Sequence, residues 1–406
     1  MRIGIYTDTF YPEINGVATS CFMLERELSR RGHEVHVFAP RSNGWENYQK
    51  ENIHYLHSTP FIALKDRNIA LPTPLDLMDL HPYHFDIVHT NSEFVMGYLG
   101  MRIARLEKCT YVHTYHTVWE DYTYYITRGH ADSQARGVVR RYSEWWCNHF
   151  DRVISPSEKT RMLLRSYGVG APIDVIPSGM DIDRFDPGVH PPEMREARRA
   201  ECGILPGERV LLNIGRIAKE KNIEQILRVF PKLREVYPDV RFVIIGEGPQ
   251  RSELAQMAAD LGVAEYVTQT GPKPWESIDQ YYSIGDVFCS ASHTETQGLT
   301  YVEAMASGLC VCAVDDPCLD GVIENGVNGI LSGDSDESLL TALIAAFSEE
   351  GSKIASRAAE SVERFTAEHF AKQVERFYQR ALDDHRKRIV KAENPGERNP
   401  PGFDSH

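Results

Sequence analysis

The sequence lacks an apolar run of the roughly 18–20 residues that a bilayer-spanning helix needs, so no segment reads as a membrane span. It lacks an excess of positive charge. Lys and Arg number 44 against 58 Asp and Glu, a net of −14. Nucleic-acid affinity rests on neutralising phosphates, so no nucleic acid is expected as a partner. Cysteine is sparse, with eight in 406 residues. Only Cys310, Cys312 and Cys318 cluster, and no His or second pair stands at zinc spacing beside them. The expectation is buried thiols in a reducing cytoplasm, with no disulfide framework and no metal site. There is no His-Glu-x-x-His and no Ser-centred nucleophile elbow. Gly246-Glu247-Gly248-Pro249-Gln250-Arg251 follows a strand but lacks the third glycine of a dinucleotide fingerprint. The opening residues Met1–Thr7 are too short and polar for a secretory core and read as a strand.

What is present is ordinary globular chemistry, 42% hydrophobic and 25% charged. At roughly 150 residues per domain the length allows two to three domains. Short apolar runs alternate with helical stretches. The first series is Ile3–Tyr6, Glu34–Phe38, Phe85–His89, Thr110–His113, Val153–Ser155 and Asp174–Ile176. A second follows as Val210–Ile214, Arg241–Ile245, Tyr266–Thr268, Val287–Cys289, Leu309–Ala313 and Gly329–Leu331. Such repetition predicts an α/β fold of parallel sheets covered on both faces. Prolines and glycines between Pro177 and Gly207 mark the break. We therefore expect two doubly wound, Rossmann-like domains facing across a cleft, over 1–177 and 205–365, joined by a linker over 178–204. A C-terminal helix over 366–388 would pack back on the first domain, and 389–406 would be a disordered tail. Charge divides unevenly between the halves. Residues 1–176 hold 19 cations against 20 acids, and the remainder holds 25 against 38.

Ligands of open α/β sheets sit beyond the carboxyl ends of the strands, so the loops there are the candidates. After the first strand, Asn15-Gly16-Val17 opens a helix, and a helix N-terminus suits a phosphate. The plain alternative is a turn with Asn15 as N-cap. The second domain opens with Gly215-Arg216 and Lys221, two cations that can grip a diphosphate. Glu295-Thr296-Gln297-Gly298-Leu299-Thr300-Tyr301-Val302-Glu303 is the most informative stretch. Its two carboxylates suit hydroxyls at both ends of an elongated ligand, and the Gly298, Leu299 and Thr300 amides suit a phosphate between them. Thr300-x-x-Glu303 also reads as a capping box, which would explain Glu303 alone. His113 and His116 end a strand three positions apart. One is expected in the core, and His116 is the better candidate for the cleft.

Together these features resemble the retaining glycosyltransferases of family four, with the GT-B fold. The residues that carry the resemblance are Asn15-Gly16-Val17, Gly215-Arg216…Lys221, Glu295…Glu303 and Ile176-Pro177-Ser178-Gly179-Met180-Asp181. It covers about residues 1–380. Within the family, Arg67-Asn68-Ile69-Ala70, His89-Thr90-Asn91-Ser92-Glu93-Phe94 and His113–Tyr122 look like bacterial diacylglycerol glucosyltransferases, with Asn91-Ser92 departing from that pattern. The resemblance implies a nucleotide-sugar-dependent hexosyltransferase, making glycolipid from UDP-glucose and a membrane lipid such as 1,2-diacylglycerol. Gly16, Arg216, Lys221, Gly298, Leu299 and Thr300 would hold the donor diphosphate, and Glu303 the ribose. Pro272 and Lys273 would border the nucleobase. Glu295 and His116 would be the catalytic pair at the transferred sugar. No cofactor is implied, since the nucleotide sugar is a co-substrate and no metal is required.

A lipid acceptor implies a cytoplasmic protein held peripherally on the inner face of the cell membrane. Residues 128–165 carry eight cations against four acids, with Trp145 and Trp146 among them. Arg136, Arg140, Arg141 and Trp145 are the expected contacts with an anionic surface. Nothing in the sequence sets an oligomeric state. Two kinds of rival stay open. The same chemistry could serve a polysaccharide intermediate, a phosphatidylinositol or a small metabolite. A UDP-sugar 2-epimerase or a non-catalytic nucleotide-sugar binder could use a similar scaffold.

Overall fold

A computed structural model describes residues 1–13, 15–60, 68–73, 83–122 and 132–393. They form two compact units. One holds Met1–Ser155, Leu163–Ile176 and the chain from Ala371 on, and the other holds Pro156–Met162 and Pro177–Phe370. Arg67, Arg128 and the tail beyond 393 lie outside the described residues.

The first unit is built on β1 (Arg2–Tyr6), β2 (Glu34–Pro40), β3 (Ile53–Leu56), β6 (Ile87–Thr90), β7 (Thr110–Thr114), β8 (Arg152–Ser155) and β9 (Ile173–Val175). They make a parallel sheet in the order β3-β2-β1-β6-β7-β8-β9. A short antiparallel pair, β4 (Ser58–Pro60) and β5 (Asn68–Ala70), stands beside it. The expected strands match this sheet closely. β3 was not expected, because Ile53-His54-Tyr55-Leu56 buries only its two ends and shows neither alternation nor a continuous apolar run.

The second unit holds β10 (Arg209–Ile214), β11 (Val240–Ile245), β12 (Val267–Gly271), β13 (Val287–Ser290), β14 (Cys310–Val314) and β15 (Ile330–Ser332). Their order is β12-β11-β10-β13-β14-β15, again parallel. Along β10, Val210 and Leu212 enter one core while Leu211 enters the other. Alternate residues thus feed two apolar layers, as a sheet covered on both faces requires. Cys289, Cys310 and Cys312 lie in one of these layers, and all eight cysteines are buried and unpaired. Among the described residues no helix is long and apolar enough to cross a membrane.

Both sheets reverse strand order once, between β1 and β6 and between β10 and β13. The loops leaving those strands are where a ligand finds room. The segment expected as a linker is structured. It carries the helix Pro192–Glu201, and Met180, Phe185, Cys202 and Ile204 sit in the second unit's core. The C-terminal helix runs over Ala367–Glu393, five residues past its expected end. From Ala371 on it packs on the first sheet. The Tyr378 hydroxyl lies 2.7 Å from His89 Nδ1, and Arg152 donates to Asp384 at 2.6 Å.

Candidate active site

In the second unit, the loop after β10 is laid against the loop after β11. Gly215 N–H donates to the Ile245 carbonyl and Ile217 N–H to the Glu247 carbonyl, both at 2.9 Å. A Cβ on Gly246 (φ +148°) would stand 1.8 Å from the Gly215 carbonyl oxygen. The Gly-x-Gly at 246–248 therefore serves close loop packing. Arg216 is exposed on this loop. Lys221 closes the turn Lys219–Lys221, and its ammonium is hydrogen-bonded to the Glu295 carboxylate. Glu295 arrives on the loop after β13, so the fold joins groups 74 positions apart.

That loop is pinned at two further points. The buried Gln297 amide pairs with both backbone groups of Ser178, accepting from its N–H at 2.8 Å and donating to its carbonyl at 2.9 Å. Gly298 takes φ +75°, and an added Cβ would lie 2.4 Å from the Tyr301 ring. The helix Leu299–Ala306 starts there with no side-chain cap. Its first-turn amides and the positive end of its dipole, at Gly298, Leu299 and Thr300, suit an anion. The capping box does not form, because the N-cap is Gly298 and Thr300 lies inside the helix. The Glu303 carboxylate instead accepts from the Tyr282 hydroxyl at 2.6 Å. Burial pushes Glu303 up to about 7, against the pull of Tyr282 and Arg184. Pro272 is exposed just past β12, and Lys273 donates to Glu201 at 2.6 Å. Cations, uncapped amides and two carboxylates on neighbouring loops can together receive a ligand that is anionic at one part and hydroxylated at others.

In the first unit, Gly16 is exposed as the first residue of the helix Gly16–Arg30, and Asn15 caps it by accepting from Ala18 N–H at 3.0 Å. The two histidines part company where β7 ends at Thr114. His113 is fully buried, with Nδ1 3.0 Å from the Thr90 carbonyl and Nε2 3.3 Å from Glu93. His116, beyond the strand, sets Nε2 2.9 Å from Asn91 Oδ1. Burial and the neighbouring His113 lower His116 to about 3, so it is neutral at physiological pH.

The expected membrane-facing residues separate. Arg140 grips Glu120 through two nitrogens at 2.5 and 3.1 Å, and Arg136 lies 3.6 Å from the same carboxylate. Two of the three arginines are thus committed to an ion pair. Arg141 is exposed. Trp146 is fully buried while Trp145 is 44% exposed, on the helix Asp132–Cys147. Adjacent helical residues differ by roughly 100° in direction, which sends one ring inward and the other out. Residues the sequence did not single out are Asp8, Asn91, Glu93, Tyr282 and Gln297. Asn91, Glu93 and Gln297 stood inside quoted stretches, but only their contacts mark them.

Residues 14–184 match the family described as Glycosyltransferase Family 4, and residues 194–365 the one described as Glycosyl transferases group 1. The alpha-monoglucosyldiacylglycerol synthase of Streptococcus pneumoniae is 37% identical over 94% of this chain and 86% of its own length. That of Acholeplasma laidlawii is 30% identical over 96% of this chain and all of its own. Among solved structures, Anabaena HepE in complex with UDP and glucose aligns with a TM-score of 0.74 at 19% identity, over 93% of this chain and 99% of that one. Sucrose-phosphate synthase from Thermosynechococcus elongatus aligns with a TM-score of 0.74 at 19% identity, over 94% and 99%. With two doubly wound parallel sheets of the GT-B kind and glycosyltransferase relatives along nearly its whole length, the chain belongs to the family-four glycosyltransferases and is a hexosyltransferase.

Proposed function

We propose that this enzyme transfers glucose from UDP-glucose to 1,2-diacylglycerol, with retention, at the anionic inner face of the cell membrane. The observation that carries the choice of substrates is the likeness to two alpha-monoglucosyldiacylglycerol synthases over 94% and 96% of the chain. Arg216, Lys221 and the amides of Gly298, Leu299 and Thr300 receive the diphosphate. Glu303 takes the ribose hydroxyls, and Pro272 and Lys273 border the base. Glu295 holds hydroxyls of the glucose.

The bond from the anomeric carbon to the diphosphate breaks as the bond to the acceptor oxygen forms on the same face. The acceptor proton passes to an oxygen of the leaving diphosphate. Fixed cations and amides stabilise the charge that grows there, the task a divalent metal would otherwise perform.

An exposed face supports a membrane acceptor. Phe94 and Tyr98 are 46% and 44% exposed, and Tyr98 lies 6.3 Å from the Trp145 ring. Val138 and Arg141 are exposed on the helix that carries Trp145. An aromatic and cationic face suits the headgroup region of anionic lipid.

The test is turnover of UDP-glucose, UDP-galactose and GDP-mannose with EDTA present. Each is run with diacylglycerol in phosphatidylglycerol vesicles, with phosphatidylinositol, or with inositol phosphate. Lipid gaining one hexose from UDP-glucose alone is the expected outcome. Transfer only to an inositol acceptor would overturn the lipid assignment, and loss of turnover in EDTA would overturn the metal-free mechanism.

A further inference from the structure

At the order reversal of the first sheet, the loops leaving β1 and β6 are laced together. Asn91 N–H donates to the Tyr6 carbonyl at 2.8 Å, and Asp8 N–H donates to Ser92 Oγ at 2.9 Å. Asp8 Oδ1 accepts from Met96 N–H at 3.1 Å, in the first turn of the helix Val95–Glu107. Its other oxygen, Oδ2, is shut off from solvent and has no partner. Asn91 is 4% exposed. It turns Oδ1 to His116, and its amide nitrogen Nδ2 is likewise buried without a partner. One loop pair therefore holds an unmet hydrogen-bond acceptor and an unmet donor.

Leaving either group unsatisfied is costly, and a ligand or a reaction that uses them is one physical account of why they are kept. A hydroxyl is the simplest group that answers both, since it donates one proton and accepts through its oxygen. We propose that Asp8 Oδ2 and Asn91 Nδ2 form the seat of the acceptor's attacking hydroxyl, with Asp8 accepting a hydrogen bond from it until the proton passes to the leaving diphosphate, and Asn91 donating to its oxygen. The assignment rests on the glycosyltransferase reading above and deepens it.

The charges around the seat agree. Burial raises the Asp8 carboxyl to about 6, against hydrogen bonds from Ser92 and Met96, and the Glu93 carboxylate adds to the rise. Glu93 is itself tied to His113 at 3.3 Å and to Trp119 Nε1 at 3.0 Å. Neutral His116 stands beside Asn91, and so adds no charge there. The hydrogen bond that Asp8 accepts from Met96 N–H goes to Oδ1, and Oδ2 has no partner within hydrogen-bonding geometry.

Two near-isosteric substitutions separate the roles. Asp8→Asn keeps an oxygen for Met96 N–H, and Asn91→Asp keeps an oxygen for His116. Initial rates are measured with UDP-glucose and either diacylglycerol in phosphatidylglycerol vesicles or soluble glycerol at high concentration. UDP affinity is measured by calorimetry. Each single variant is expected to lose at least tenfold in kcat/KM for the acceptor, with UDP affinity within twofold of wild type. The double variant Asp8→Asn/Asn91→Asp exchanges donor and acceptor and is expected to recover at least threefold over the weaker single variant. Singles within twofold of wild type would overturn the seat. So would equal losses in UDP affinity and thermal stability with no recovery in the double variant, which is the signature of a purely structural pair. If wild type glycosylates glycerol but no lipid, the lipid reading fails and the seat is judged on glycerol. If it glycosylates neither, both fail.

Discussion

The two units meet polar ligand groups by opposite means. The second places its charges where a ligand would touch them: Lys221 on Glu295, Arg216 exposed, and a helix N-terminus left uncapped. The first buries its polar groups away from fixed charge partners, with His116 lowered to about 3 and so neutral, and Asp8 raised to about 6. The overall charge runs the other way. The first 176 residues are nearly balanced and the rest is strongly acidic. Net charge therefore says little about either site. Binding an anion inside an acidic unit takes a few fixed cations and amides, since interactions at contact distance outweigh a diffuse field screened within about 10 Å.

The comparison breaks most sharply at Lys221. Lys221→Ala is expected to lower kcat/KM by ~10²–10³-fold. Donor affinity should fall while acceptor KM holds, which steady-state kinetics with each substrate varied would reveal. An unchanged donor affinity would mean that the Lys221–Glu295 pair is a structural bridge.

Glu303 sharpens the contrast from within the charged unit. Its folded value of about 7 stands above the ordinary 4.5, so the native state binds the extra proton between those values. Its stabilising contribution is whole below about 4.5 and lost as pH rises through about 7. Glu303→Gln should thus be the more stable protein at pH 8, by on the order of 2–3 kcal/mol, and equal to wild type near pH 4. Denaturant titrations at the two values check it. Hydroxyls donating to Glu303 favour its anion, so wild type should release a proton on binding UDP near pH 6.5, and Glu303→Gln should not. Calorimetry in buffers of different ionisation enthalpy reads that release.

Gln297→Ala strips both backbone groups of Ser178 of their partners, at a cost of about 2 kcal/mol. A lower Tm together with a lower kcat is expected, because the same loop carries Glu295. A fall in Tm alone would mean that the Gln297 clamp supports the fold but not the chemistry. The smallest effect belongs to the exposed face of the first unit. Arg141→Ala and Trp145→Ala should each weaken binding to phosphatidylglycerol vesicles by about 1 kcal/mol in co-sedimentation, and leave UDP affinity untouched.

Much of the fold was legible because strand and helix periods are local. Twelve strands of the two main sheets fall on or beside the runs expected for them. The chemistry-bearing loops were legible for a related reason, since a glycine or a cation just past an apolar run marks a strand end. Three things were hidden. Ile53–Leu56 gave no pattern because its middle residues are only partly buried. The commitment of Arg136 and Arg140 to Glu120 depends on a residue beyond their own helix. The unmet atoms of Asp8 and Asn91 exist only once β1 and β6 lie side by side.

The sequence by itself determined the alternation of strands and helices and which residue types stand at the strand ends. These follow from neighbours within one or two turns of chain. Only the tertiary structure decided the partners: Lys221 with Glu295, Gln297 with Ser178, Glu303 with Tyr282 rather than with its own helix end. Hydrogen bonds and burial act over a few ångströms in space, and no periodicity along the chain records which distant residues the sheet will bring that close.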